Sequence, residues 1–272
     1  MKKLICLLIG CIAWAEAIYP QATGSWKTYL AYYTTTAVAE TPTEVYAVAD
    51  GSLYSYGKED NSLQFYSRQT GLNDNGISHI GYNPAVEKLL IVYGNSNGNI
   101  DLLGRQGVYN LPYLKENTNL QDKAIHSIAF YNEYAYLSTA FGILLVNMDK
   151  QEISDTYQLH EPVFSTCILG ERVYATTGEG LISGSIRDNL LDVNNWQREA
   201  LSLPDFTAGD TLSLGVFQNK LCFLIKSKGI YYRESDGTVK NLLKDRRLSD
   251  MLVTSGKLIA WSDNILYVYS SF

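Results

Sequence analysis

The sequence is short of the residues that metal and redox chemistry draw on. Its 272 residues include only three histidines and four cysteines. No H-x-H, H-E-x-x-H or C-x-x-C spacing occurs, so the three or four clustered ligands of a zinc site are not expected. Cys167 and Cys222 lie inside apolar segments, VFSTCILG and KLCFLIK, and read as small buried hydrophobes. A disulfide between them would suit an oxidising compartment, but no spacing asks for one. Proline is scarce, at six, and no Gly/Ser tract appears, which argues against a flexible linker. The absence of G-x-S-x-G leaves no hydrolase nucleophile elbow. Basic charge is also scarce, with 22 Lys and Arg against 28 Asp and Glu. A chain without a basic stripe is a poor nucleic-acid binder. Apolar residues at 46% argue against disorder.

Long apolar runs are missing after the first few residues. Lys2 and Lys3 precede the apolar stretch Leu4 to Trp14, and Ala15-Glu16-Ala17 forms an A-x-A cleavage site. The run is too short to span a bilayer as a stable helix. Residues 1–17 are therefore expected to be a signal peptide, and residues 18–272 the mature domain. The alternative is a lipobox, Leu8-Ile9-Gly10-Cys11, lipidated at Cys11; either way the chain is exported, to the periplasm or the outer-membrane surface. Loss of Lys2, Lys3 and Glu16 makes the net charge one unit more acidic than −6.

What the chain has in plenty is tyrosine, 21 residues, set in short alternating segments. Tyrosine suits half-buried strands, with its ring inside and its hydroxyl near the surface. EVYAVADGSLYSY (44–56) reads as a hairpin, and it recurs. Its counterparts are KLLIVYGNSNGNIDLL (88–103), EYAYLSTAFGILLVN (133–147), RVYATTGEGLISGS (172–185), KLCFLIKSKGIYYRE (220–234) and KLIAWSDNILYVYS (257–270). The first apolar positions, Val45, Leu89, Tyr134, Val173, Leu221 and Leu258, lie 37 to 48 residues apart. A further strand precedes each hairpin, and a more polar one follows most of them. Four strands per period of this length is the signature of a β-propeller. The fold expected is all-β, with about six four-stranded antiparallel blades. The last unit has three strands, and SWKTYLAYY (25–33) is a candidate to complete it, removing an exposed edge. The competing expectations are a truncated propeller and a solenoid, which would need capping units.

No catalytic group stands out. His79 and His126 fall in corresponding innermost strands, offset by one residue, and read as structural or channel-lining. Ser235-Asp236-Gly237-Thr238 echoes a sialidase Asp-box, but it occurs once and turn chemistry explains it. The expectation is a non-enzymatic protein with no cofactor, no metal and no catalytic residue. What remains is a loop face, because turns between second and third strands share one end with the loops leading into each innermost strand. Its ligand-binding candidates are Asp50, Asp74, Asn75, Asn95, Asn97, Glu179, Lys228 and Asp263, amide- and charge-bearing residues able to hydrogen-bond a sugar or a peptide.

Two stretches, TGLNDNGISHIGYN and KLLIVYGNSNGNIDLL, with SWKTYLAYY upstream, resemble the amino-terminal propeller of PorZ-type proteins of the type IX secretion system. A shorter pattern, with Gly-Ile or Gly-Leu after the hairpin turn, is similar to the propeller repeats of hybrid two-component regulators. The PorZ resemblance implies an exported, non-enzymatic component of an attachment complex. It implies a PorU-like sortase or other complex proteins as partners, with anionic lipopolysaccharide as a further ligand and no nucleic acid. PorZ-type proteins also carry a second propeller and a sorting domain that this sequence lacks. The alternatives are a periplasmic ligand-sensing propeller and a polysaccharide lyase or glycosidase built on a propeller.

Overall fold

A computed structural model describes residues 31–94, 98–200, 210, 212–244, 247–254, 256–262 and 264–272. Residues 1–17, expected to be a signal peptide, and the site candidates Asn95, Asn97 and Asp263 lie outside the described residues. So do residues 25–30 of the candidate closing strand. The remainder of that stretch, Ala31 to Tyr33, precedes the first strand without strand structure.

The period read from the sequence is that of the fold: an all-β, six-bladed propeller of antiparallel sheets. Blade one is β1 (Thr35–Glu40), β2 (Glu44–Ala49), β3 (Ser52–Gly57) and β4 (Leu63–Tyr66). Blade two is β5 (Ile77–Asn83), β6 (Lys88–Tyr93), β7 (Ile100–Gly104) and β8 (Gly107–Leu111), followed by the one-turn helix α1 (Tyr113–Glu116). Blade three is β9 (Ile125–Tyr131), β10 (Tyr134–Thr139), β11 (Gly142–Asn147) and β12 (Glu152–Gln158). Blade four is β13 (Val163–Leu169), β14 (Arg172–Thr177), β15 (Gly180–Ser185) and β16 (Gln197–Arg198). Blade five is β17 (Leu212–Phe217), β18 (Lys220–Ile225), β19 (Gly229–Arg233) and β20 (Val239–Leu243). Blade six has three described strands, β21 (Asp250–Thr254), β22 (Lys257–Trp261) and β23 (Leu266–Tyr269). Each sheet is a meander in chain order, and each innermost strand neighbours the next, from β1 through β5, β9, β13 and β17 to β21.

Burial is deepest one strand out from the axis. In β6, β10, β14 and β18 every residue after the first is buried. A second strand has a sheet neighbour on each edge and a blade on each face, so all of its surfaces are covered. The innermost strands are less buried because the inner edge of each has no sheet neighbour and borders the propeller axis. The fourth strands are the most exposed, as in β4 and β8.

Five apolar clusters each join one pair of successive blades. Tyr46, Val48, Leu53 and Tyr66 of blade one pack on Ile80, Leu89 and Ile91 of blade two. Equivalent clusters join blades two and three, three and four, four and five, and five and six. The outward faces of blades one and six differ. On blade one the ladder places Val38, Tyr54 and Phe65 on the face opposite that cluster, with Tyr56 and Leu63 beside them. On blade six the corresponding face carries Leu252, Leu266 and Val268. Val38, Tyr56, Leu63, Phe65, Leu252, Leu266 and Val268 are all exposed. The Tyr32 ring lies on the blade-one wall, with ring centres 5.6 Å from Tyr54 and 5.0 Å from Phe65.

Candidate functional site

The loop face is built most tightly where blades one and two meet. Asp50 occupies the hairpin turn of blade one in a left-handed conformation, φ +48, that aspartate tolerates. Its carboxylate accepts the amide of Tyr33 at 2.7 Å and that of Thr34 at 3.2 Å. The next residue, Gly51, accepts the Ile77 amide at 3.0 Å, and the Gly94 amide donates to Gly76 at 2.7 Å. A Cβ on Gly51 would sit 3.1 Å from the Gly76 Cα. The blade-one turn is thus stitched to the loop 70–76 that leads into blade two.

That loop is fixed from below by a residue absent from the candidate set. Asp101 of β7 is wholly buried. It accepts the Asn73 amide at 2.9 Å, the Asn73 side-chain amide at 3.0 Å and the Asn110 side-chain amide at 2.7 Å. It also accepts the Tyr93 hydroxyl. Burial and this carboxylate push the Tyr93 phenol well above its ordinary range, so it stays a donor. The two sequence stretches TGLNDNG and NGNIDLL are therefore halves of one device, an aspartate in the second gripping an asparagine in the first.

Above it, Asp74 takes the Lys115 ammonium at 2.8 Å and the Asn99 amide at 3.4 Å, while its other oxygen accepts the Asn75 backbone amide at 3.0 Å. Lys115 belongs to α1. Asn75 itself is exposed. The structure thus brings Asp50, Asp74 and Asn75 into one sector. Glu179 and Lys228 stand elsewhere on the same end of the strands. Glu179, in the blade-four turn, is exposed and pairs with Arg198 at 2.7 Å. Its backbone amide donates to the Thr177 hydroxyl at 3.2 Å, which is turn chemistry. Lys228, in the blade-five turn, reaches Asp210 at 2.6 Å.

The central channel collects titratable groups. Burial holds both His79 and His126 below the ordinary histidine range, and the charge of His126 lowers His79 further. Asp250, from β21, is raised by burial, against the pull of Lys226 and His79. A ladder shift between Ile77 and His79, and another across β9, insert one bulged residue in each of these strands. The bulge explains why histidines one residue out of register act on one another. The His79 Nδ1 lies 2.9 Å from the Ser78 hydroxyl, and the His126 ring lies 5.5 Å from that of Phe164. Among the described residues no cluster of three His, Cys, Asp or Glu could hold a metal ion. Cys167 and Cys222 are free and buried, and burial raises both thiols, Cys222 to about 12. No helix among the described residues is long and apolar enough to cross a membrane.

Known proteins align with this architecture. The family described as the PorZ N-terminal β-propeller domain of the type IX secretion system matches residues 45–197. The solved structure of PorZ, a bacterial surface component of that system in Porphyromonas gingivalis, superposes with a TM-score of 0.80 at 32% identity. The match covers 90% of this chain and 33% of PorZ, so the chain spans about a third of that protein's length. The extracellular domains of two hybrid two-component systems of B. thetaiotaomicron, BT4673 and BT3049, superpose with TM-scores of 0.61 and 0.63 at 15% and 11% identity. They cover 87% and 88% of this chain and 32% and 34% of their own, and show the shared fold alone. No curated protein matches the chain by sequence. With more than half of its residues matched by the family, the chain belongs to the PorZ N-terminal β-propeller family of the type IX secretion system.

Proposed function

We propose that the chain is an exported, non-enzymatic binding and scaffold component of the type IX secretion attachment complex, working through the loop face at blades one and two. The observation that supports this reading is the Asp101 anchor. It holds Asn73 and presents Asp74 and Asn75 from a rigid base, as a recognition loop requires. The partners proposed are a PorU-like sortase or another complex protein, and anionic lipopolysaccharide. The face is not strongly acidic, because Lys115, Lys228 and Arg198 answer its carboxylates. The residues proposed to touch a ligand there are Asp74 and Asn75; the further candidates are Asp50, Asn95, Asn97, Glu179, Lys228 and Asp263.

Surface capture tests the proposal. The purified chain, immobilised, is exposed to a PorU-type sortase and separately to purified anionic lipopolysaccharide. Retention of either that is lost in an Asp74→Ala/Asn75→Ala variant is the expected result. No retention of both, or retention untouched by the double variant, overturns it.

A further inference from the structure

A second concave site lies at the opposite end of the strands, between blades one and two. It is a groove of about 410 Å³, bounded by the β1–β2 turn on one side and the β5–β6 and β7–β8 turns on the other. Its apolar floor is Leu89 and Leu103, and its walls carry Tyr46, Tyr66 and Tyr82. Glu44 faces into it. One carboxylate oxygen of Glu44 accepts the Tyr46 hydroxyl at 2.6 Å and the other accepts the Ser55 hydroxyl at 3.1 Å. These donors hold the carboxylate in place without neutralising it. The second acid of the groove, Glu87, has its counter-charge in Arg105 at 2.6 Å. Glu44 has none among the described residues, and it is partly withdrawn from water.

We propose that this groove binds a basic side chain, arginine or lysine, from an extended segment of a partner polypeptide. A half-buried, pre-oriented carboxylate without a cation is complementary to one, and two oxygens with spare lone pairs suit a guanidinium. The long methylene stem of such a side chain lies on the leucine floor and against the tyrosine walls. The volume is near the lower end of the range for ligand pockets, roughly 300–1,000 Å³, which fits one side chain with its flanking backbone. Ring centres of Tyr46 and Tyr66 lie 5.8 Å apart and both rings are buried, so the wall is fixed before binding. Gly107, around which a Cβ would meet nothing within 4 Å, leaves the rim open for the backbone of the guest. This site is independent of the loop face.

The test is a titration of the ¹⁵N-labelled chain with two blocked pentapeptides, one with arginine between glycines and one with neutral citrulline in its place. The expected result is saturable shifts confined to amides of residues 41–46, 64–66 and 103–107 with the arginine peptide. The citrulline peptide is expected to bind about tenfold more weakly. Glu44→Gln should remove that preference. Arg105→Ala, at an exposed residue whose loss frees Glu87, should strengthen arginine binding. Absence of saturable shifts at these amides, equal binding of the two peptides, or an Arg105→Ala variant that binds arginine more weakly overturns the proposal.

Discussion

Replacing Asp101 with alanine leaves the buried Tyr93 hydroxyl and two donors of the more exposed Asn73 without this acceptor, and takes one of three acceptors from the Asn110 amide. The expected loss is about 2–4 kcal/mol of unfolding free energy, read from urea denaturation. Tyr93→Phe removes one charge-assisted bond and should cost about 1.5–3 kcal/mol. Equal effects of the two would mean the anchor is not shared among its donors. Asp101 also shows what a sequence conceals at this scale. Turn reasoning finds amides in turn-like sequence, such as Asn75, which is exposed. It passes over an aspartate between Ile100 and Leu102, since alternation puts such a residue on the outward face of a strand. Here the loop 70–76 folds over that face and buries it. Channel residues give a second prediction. The folded state holds the His79 pKa low, so its contribution is present above the ordinary histidine pKa and lost as pH falls through the folded value. Burial raises Asp250, so its contribution is present at low pH and lost as pH rises through its folded value. Thermal melts across pH should therefore flatten on the acid side in His79→Asn. In Asp250→Asn, stability at pH 7 should rise relative to pH 4. A melt profile of unchanged shape in both variants would remove the channel from the pH response.

Among the elements, the third strands show how a short sequence pattern encodes a close approach. Gly142 and Gly180 open β11 and β15 at equivalent positions, both with positive φ, +142 and +123. A Cβ on Gly142 would lie 2.0 Å from the Tyr157 carbonyl oxygen, because β12 runs alongside it. Around Gly180 nothing lies within 4 Å, since β16 is short and pairs further along β15. Gly142→Ala should thus cost more than about 3 kcal/mol, from backbone strain and displaced pairing together. Gly180→Ala should cost about 1 kcal/mol, from conformation alone. Chemical denaturation of the two variants separates them, and equal losses would show that φ alone sets the requirement. Most of this level was legible in advance, because alternation, turn residues and the repeat of the hairpin locate every described strand to within a few residues. The bulges at the start of β5 and β9 were not, since a single inserted residue leaves no compositional trace. Nor was the depth of burial. The second strands are as apolar in sequence as the innermost ones, and only the packing of blades on both faces makes them the core.

Across the whole molecule, the apolar side chains divide by the seam they face. The five seams between successive blades bury theirs, and the outward faces of blades one and six do not. Leu258 and Leu266 stand in adjacent strands of blade six and make the contrast within one sheet. Leu258 points into the cluster shared with blade five and is fully buried, whereas Leu266 points to the other side and is 65% exposed. Leu258→Ala should therefore cost about 2–5 kcal/mol, the usual range for a buried leucine. Leu266→Lys should change stability by no more than about 0.5 kcal/mol. The solution behaviour should move the other way. Exposed apolar residues on each of these walls offer surface of the kind that drives association; Leu258→Ala leaves it in place and Leu266→Lys puts a charge into the blade-six wall. Sedimentation at increasing concentration should thus show less self-association for Leu266→Lys than for the unaltered chain. A large destabilisation by Leu266→Lys would show instead that this wall is covered in solution and belongs to the core.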